Sequence, residues 1–271
     1  MKHSTFYVHI MEAAKQQGIS IDEALERVKA MGYEGVEMSY DQSWIPETTE
    51  NMIAKAHEHG FVVANFFINA DFAADFDEEY YEKCMKFVSE SDTDLIQISP
   101  LLMGEYEDKE AAYKKLFEAQ KKIVSIAQKY GVQVIIEDFD GLTSPLNCLE
   151  GVKYYLDNIP GLKYTFDTGN FYLMEEDCLT AFPYLKDKLA HVHMKDRKLE
   201  GPEDEFDKLT VSGKKMYGSA IGAGVIDTAA CLREVKKTGY DGWIVTEHFA
   251  SNDQMRDLEE SIKFIDKIWN E

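Results

Sequence analysis

The sequence has few cysteines and no long apolar run. Its four cysteines show no CxxC or other metal-ligand spacing, so we expect reduced, mostly buried thiols in a cytoplasmic protein rather than a disulfide scaffold. No apolar run reaches the roughly 20 residues needed to span a bilayer, and the N-terminus lacks the apolar stretch of a signal peptide. These absences argue against membrane-embedded and disulfide-rich secreted proteins.

Basic residues are scarce relative to acidic ones. The chain has 29 Lys and Arg against 50 Asp and Glu, which gives a formal charge of −21. A surface of this sign repels nucleic-acid phosphates and anionic membranes, so we expect neither as a partner. The acidic excess is typical of solubility and does not by itself identify a substrate.

The chain length and the absence of a Pro/Gly/Ser-rich linker predict one domain that covers residues 1–271. At 271 residues the chain is close to the roughly 250 residues of a TIM barrel. Hydrophobic residues make up 45% and aromatic residues 12%, which is enough for a closed core.

Short apolar runs alternate with longer amphipathic segments, mostly about every 30 residues, as in repeated βα units. The predicted strands are Thr5–Ile10, Gly35–Tyr40, Val62–Phe67, Leu95–Ser99, Val132–Asp138, Lys163–Asp167, Leu189–Lys195 and Trp243–Glu247. The clearest predicted helices are Ile21–Met31, Lys109–Tyr130, Thr228–Thr238 and Gln254–Trp269. This pattern predicts an α/β fold, a (β/α)8 TIM barrel, with an open doubly wound sheet as the alternative. The insertion Arg197–Ser219 follows strand seven and is expected over the active face.

Four consecutive apolar strands end in ionisable residues. In a barrel these ends meet at one mouth, where Glu137, Asp167, His193 and Glu247 would be neighbours. Each carboxylate alone could instead cap a helix, but burying charge is costly unless it is paired or bound to metal. Three carboxylates and one imidazole suit one divalent ion, Mn²⁺ first, with Mg²⁺, Co²⁺ or Zn²⁺ as alternatives.

Strand seven and the loops beside it carry further candidates. His191 shares the parity of His193 and could support that ligand or fill the core. Lys195 could bind a substrate oxygen or phosphate, or neutralise the acidic site. The Gly222–Gly224 loop precedes a helix and could cradle an anion or form only a tight loop. Aromatic candidates for a wall against a sugar are Trp44, Phe139, Phe171 and Phe249.

The ordered set Glu…DTGN…HxHxKD…GxGxID…EH resembles the xylose-isomerase-like TIM-barrel superfamily, also described as sugar phosphate isomerases and epimerases. The GYEGVE segment at Gly32–Glu37 resembles that family's entry into the second strand. The most specific part is HVHMKD followed by IGAGVID, and the resemblance covers nearly the whole chain.

The resemblance implies a metal held by Glu137, Asp167, His193 and Glu247, and proton transfer next to a carbonyl of a ketose or polyol. One glutamate of the pair Glu137 and Glu247 would remove the proton, and the other would return it to a cis-enediolate. Further residues are expected to bind or support the substrate: Asn170, His191, Lys195 and Asp196.

Two positions depart from the family pattern. Asn170 stands where many relatives have histidine, which argues against a multi-zinc cluster, and Asp138 stands where many have asparagine, which disfavours an anionic substrate near that edge.

Alternative functions are an inosose-dehydratase-like lyase, a non-catalytic sugar-binding subunit and a DNA-repair endonuclease, the last disfavoured by the net charge. The resemblance is also compatible with a homo-oligomer. Substrate specificity is expected in the loops Tyr40–Glu47, Asn69–Phe76, Leu101–Tyr106 and Arg197–Ser219.

Overall fold

Eight parallel strands form a closed barrel in the computed structural model, which describes residues 1–40, 45, 47–203 and 205–271. The barrel strands are β1 (Lys2–Phe6), β2 (Gly35–Ser39), β3 (Val62–Ala70), β4 (Leu95–Pro100), β5 (Gln133–Glu137), β6 (Lys163–Asp167), β7 (Leu189–Lys198) and β10 (Trp243–Glu247). Strand β10 pairs in parallel with both β7 and β1, which closes the sheet. This closure confirms the predicted (β/α)8 barrel and is incompatible with an open doubly wound sheet.

Helices cover the outside of the barrel. Those of the described residues are α1 (Tyr7–Gln17), α2 (Ile21–Met31), α3 (Thr49–Glu58), α4 (Glu78–Ser89), α5 (Lys109–Lys129), α6 (Leu149–Asn158), α7 (Cys178–Leu185), α8 (Thr228–Lys237) and α9 (Gln254–Trp269), with 3₁₀ turns at Asn170–Met174 and Lys186–Lys188. Helix α2 begins where the Ser20 side chain accepts the Glu23 N–H, and it ends at Gly32, whose φ of 111° is left-handed. None of these helices is long and apolar enough to cross a bilayer.

The first strand exists as predicted, but its predicted bounds, Thr5–Ile10, are wrong. The strand ends at Phe6, and the chain turns directly into α1. Tyr7, Ile10 and Ala14 are buried at helical spacing on one face of α1, so the apolar residues of this segment belong to a helix period rather than a strand period. His9 consequently lies on α1 instead of in a barrel strand.

Side chains alternate along the strands, so that apolar ones face the helices outside the barrel and polar ones face the barrel interior. In β7, Val192 and Met194 belong to the large hydrophobic cluster between strands and helices. His191 contacts Glu37 of β2, and since β2 and β7 are not neighbours in the sheet, this contact crosses the barrel interior. The interior therefore holds His191 and His193, as their shared parity requires.

The insertion after β7 folds back on that strand. Strand β9 (Lys215–Ser219) pairs antiparallel with the end of β7, and the two-residue β8 (Lys208–Leu209) pairs with β9. The insertion thereby stays at the carboxyl end of the barrel, as the sequence predicts. It brings Asp207 and Lys208 to the barrel mouth.

Candidate active site at the barrel mouth

The carboxyl ends of β5, β6, β7 and β10 bring four ionisable side chains together. Glu137, Asp167, His193 and Glu247 are all buried, and one ligand atom of each lies within 4.8 Å of the others. They converge because adjacent parallel strands of a barrel place their ends side by side. The structure thus assembles the set that the sequence predicted as metal ligands.

His193 lies at the centre of this group. Its Nδ1 is 3.0 Å from Glu137 Oε2 and 3.1 Å from Glu247 Oε2, while its Nε2 is 3.2 Å from Glu37 Oε1. Although burial lowers the pKa of His193, the carboxylates of Glu37 and Glu137 raise it well above its ordinary value. The imidazole therefore lies in a strongly negative environment that favours positive charge at this position.

Asp167 offers an oxygen that the protein does not use. Its Oδ1 accepts the N–H groups of Gly169 and Asn170, each at 2.7 Å, whereas its buried Oδ2 has no hydrogen-bond partner. Burial raises the pKa of Asp167 to about 8, and Glu247 and Glu137 add to the rise against the opposing charge of Lys195. A buried carboxylate oxygen without a donor is costly, and a divalent cation among the four side chains would satisfy it. The residues present therefore fit a metal ion.

Lys195 is held by acceptors on three sides. Its ammonium lies 2.5 Å from Glu247 Oε1 and 2.7 Å from Asn170 Oδ1. Asp140 Oδ2 is 3.5 Å away on the third side. All three partners are oxygen atoms, and two of them, Glu247 and Asp140, are carboxylates. Lys195 thus lies where it can neutralise the acidic site, and both roles predicted for it stay predictions.

Asp140, three residues beyond Glu137, gathers a second group of charges. Arg197 Nη2 and Lys208 Nζ each lie 2.5 Å from its carboxylate, and Lys208 also donates to its backbone carbonyl at 2.9 Å. Asp207 pairs with Arg197 Nη1 at 2.7 Å. Burial would raise the pKa of Asp140, but Lys195, Lys208 and Arg197 hold it at about 2. This network connects the β5 loop to the insertion after β7.

A cavity of about 230 Å³ opens above these groups. Both glutamates of the predicted ligand set, Glu137 and Glu247, line it, together with Lys195 and Asn170. The remaining lining residues are Phe6, Phe67, Asn69, Gln97, Phe139, Asp140, Asp207, Lys208 and Phe249. The volume lies below the roughly 300–1,000 Å³ of common ligand pockets, which suits a small substrate.

Several sequence candidates lie elsewhere. Asp196 points into the Gly222–Gly224 loop, where its carboxylate accepts the N–H groups of Gly222 and Gly224 at 3.0 and 2.9 Å. His191 is fully buried against Glu37. Asp138 accepts the Tyr164 hydroxyl at 2.5 Å and does not line the cavity. Neither Asp196 nor His191 lines the cavity among the described residues, so direct substrate contact by them stays a prediction.

Of the aromatic candidates, Phe139 and Phe249 line the cavity, whereas Phe171 is buried in the hydrophobic core. Trp44 lies outside the described residues, as does most of the predicted specificity loop around it.

The sequence did not single out Asp140, Asp207 or Lys208. The only sign of Asp140 in the sequence was its position three residues after Glu137 in the segment EDFD. Asp207 and Lys208 lie in a charged insertion that carries no motif.

The chain matches a family model described as xylose isomerase-like TIM barrel over residues 25–268. Inosose dehydratase of Lacticaseibacillus casei is 36% identical over 85 residues, which cover 30% of this chain and 28% of that protein. The matched segment thus spans less than a third of that relative.

Two solved structures share the fold at low sequence identity. D-psicose 3-epimerase of Clostridium cellulolyticum H10, solved with D-tagatose, has a TM-score of 0.70 at 17% identity, covering 99% of both chains. The IOLI protein, solved with a bound zinc atom, has a TM-score of 0.70 at 16% identity, covering 99% of this chain and 96% of that chain.

Proposed function

This chain belongs to the xylose isomerase-like TIM-barrel family, and we propose that it is a divalent-metal-dependent isomerase or epimerase of a sugar or polyol. The reaction would remove a proton from a carbon next to a carbonyl group and then return a proton to the intermediate. The observation that carries this proposal is the buried set at the barrel mouth, in which two glutamates both face one small cavity.

Glu137, Asp167, His193 and Glu247 would hold the ion, with Mn²⁺ as the first candidate and Mg²⁺, Co²⁺ or Zn²⁺ as alternatives. When bound, the ion supplies a Lewis acid for the carbonyl oxygen of the substrate. The unpartnered Asp167 Oδ2 supports these ligands, and the zinc atom in the structure of the IOLI protein supports a divalent ion in a barrel of this fold.

Glu137 and Glu247 would act as the acid/base pair. Both line the cavity, but only Glu247 is paired with a lysine, at 2.5 Å. Lys195 therefore holds Glu247 charged and in one orientation, while Glu137 contacts no cation other than the imidazole of His193 among the described residues. Because the surroundings of the two glutamates differ in this way, one of them would remove the proton and the other would return it. Asn170, fixed by its donation to the Asp138 carbonyl at 2.7 Å, would orient a substrate hydroxyl.

A second candidate is an inosose-dehydratase-like lyase. It would begin with the same proton removal and then expel a hydroxyl group. The observation that favours it is the 36% identity to inosose dehydratase of Lacticaseibacillus casei over 85 residues. Product mass separates the two, because only the lyase loses water.

The first experiment is elemental analysis of purified protein before and after chelation, beside Asp167→Ala. We expect one divalent ion per chain that is lost from the variant. Ketoses and inososes are then screened by NMR in D₂O, where proton exchange next to the carbonyl reports turnover. Absence of metal after reconstitution with Mn²⁺, Co²⁺ and Zn²⁺ would overturn the mechanism and favour a non-catalytic binding subunit.

Glu137→Gln tests the acid/base role separately. The amide keeps one ligand oxygen, so much of the metal affinity should remain while exchange of the substrate proton falls strongly. Full activity in this variant would contradict the role of Glu137. One domain, a cytoplasmic location and a homo-oligomer stay predictions.

A further inference from the structure

Three cations of the barrel mouth converge on one buried carboxylate. Asp140 is 5% exposed, and its two oxygens face the ammonium of Lys208, the guanidinium of Arg197 and, at 3.5 Å, the ammonium of Lys195. Asp140, Lys195 and Lys208 all line the cavity. A cluster of lysine and arginine donors at the edge of a substrate cavity is the arrangement that binds phosphate or carboxylate groups of ligands. Here the protein's own carboxylate fills its centre.

The other candidate anion site is filled in the same way. The N–H groups of Gly222, Gly224 and Ile226 point at the carboxylate of Asp196, at 3.0, 2.9 and 3.1 Å. Both places that the sequence offered for a substrate phosphate, Lys195 and the glycine loop, therefore have internal anions as partners. Among the described lining residues, each lysine of the cavity is paired with a carboxylate.

We propose that Asp140 occupies the position of an anionic substrate group and thereby restricts this site to neutral, unphosphorylated polyols or ketoses. A phosphate on the substrate would have to displace a carboxylate that three cations hold, and it would meet the charge repulsion of Asp140, Asp207 and Glu247. The statement about substrates rests on the proposed function. The existence of a filled anion site does not depend on that function.

Removing the carboxylate should create an anion site. In Asp140→Ala the three cations keep other partners: Arg197 keeps Asp207 at 2.7 Å, Lys195 keeps Glu247 at 2.5 Å, and Lys208 keeps the backbone carbonyl of residue 140 at 2.9 Å. The variant should therefore fold, with a space for an anion next to three donors.

The probe is inorganic phosphate, titrated by calorimetry at constant ionic strength. Asp140→Ala should bind phosphate at least roughly tenfold more tightly than the wild-type protein, because charge-assisted hydrogen bonds replace those to the carboxylate. Asp71→Asn is the matched control: it removes another carboxylate, one that accepts the N–H groups of Met103 and Gly104 and the Tyr106 hydroxyl, without freeing a cation. Its phosphate affinity should equal that of the wild type.

Equal phosphate affinity of the wild type and Asp140→Ala would overturn the proposal, as would tight binding by the wild type. Asp140→Ser replaces the alanine variant if the latter fails to fold, and phosphate should then raise its Tm while chloride of equal ionic strength does not. The phosphate ester of any ketose that the wild type converts should be converted far more slowly. If no ketose is converted although the phosphate results are as expected, the proposed function fails and the filled anion site stands.

Discussion

Replacing Glu37 by glutamine should weaken divalent-metal binding roughly 10- to 100-fold, although Glu37 is not among the predicted ligands. Its carboxylate lies behind the site, where Oε1 contacts the Nε2 atoms of both His191 and His193. A proton on His193 Nε2 that points to Glu37 leaves the Nδ1 lone pair directed at Glu137 and Glu247, where a cation would bind. We therefore expect Glu37 to position the imidazole and to select its tautomer.

The magnitude follows from the lost charge-assisted contact. A hydrogen bond to a charged group contributes about 1.5–3 kcal/mol, which corresponds to roughly 10- to 100-fold in a dissociation constant. Glutamine keeps the volume of Glu37 in a site that is 1% exposed, so a cavity does not add to the effect. Asn65, which donates to Glu37 Oε2 at 3.1 Å, can turn its amide to meet the new group.

The assay is calorimetric titration of metal-free protein with Mn²⁺, beside ¹⁵N NMR of the histidine rings, which reports the tautomer of His193. Asp92→Asn is the control, because Asp92 also pairs with a histidine, His57 at 2.6 Å, and accepts the N–H of Val63 at the other end of the barrel. That variant should keep the metal affinity. Unchanged affinity and an unchanged tautomer in Glu37→Gln would refute the positioning role.

Three further predictions concern stability. Gly224→Ala should lower the free energy of unfolding by about 1–3 kcal/mol in urea titrations, because the new Cβ would lie 2.2 Å from Asp196 Oδ1. Gly104→Ala is the control and should be near neutral, because its Cβ would lie 3.5 Å or more from its nearest neighbours. Asp92→Asn should cost about 1 kcal/mol at pH 7. Burial raises the pKa of Asp92, but hydrogen bonds from Val63 and His57 outweigh burial and lower the pKa below its ordinary value. The stability that Asp92 contributes is therefore present at a pH above that ordinary pKa and is lost as the pH falls. The difference in stability between wild type and Asp92→Asn should shrink below about pH 4, and a difference that does not change with pH would contradict this prediction. Mn²⁺ at 100 times its dissociation constant should stabilise the wild type by about 2.7 kcal/mol, seen as a higher Tm, and should leave Asp167→Ala unchanged.

The sequence alone predicted the barrel and the members of its acidic site for one physical reason. Parallel strands of a closed barrel end at the same mouth, so residues that follow four successive apolar runs become neighbours whatever their separation in the chain. Glu137, Asp167, His193 and Glu247 are such residues, and their convergence in the structure follows from strand order alone. Their roles in metal binding and catalysis stay predictions.

The local pattern of apolar residues was misleading where a strand period and a helix period fit the same stretch of sequence. The segment Thr5–Ile10 is apolar and aromatic enough for a strand, but burial of Tyr7, Ile10 and Ala14 against the barrel makes most of it a helix. The strand of the structure ends at Phe6, and no glycine or proline stands there to signal the change to a helix.

Only the tertiary structure decided which charges pair with which. Asp140 meets Arg197 and Lys208 across 57 and 68 residues of sequence, and Glu37 meets His191 across 154. No spacing rule encodes such contacts, because they depend on how far the insertion after β7 folds back and on which side chains point across the barrel interior. The sequence therefore determined which residues meet at the barrel mouth. The packing of distant segments decided that Lys195 pairs with Glu247, that Asp140 faces three cations, and that Glu37 contacts His193 from behind.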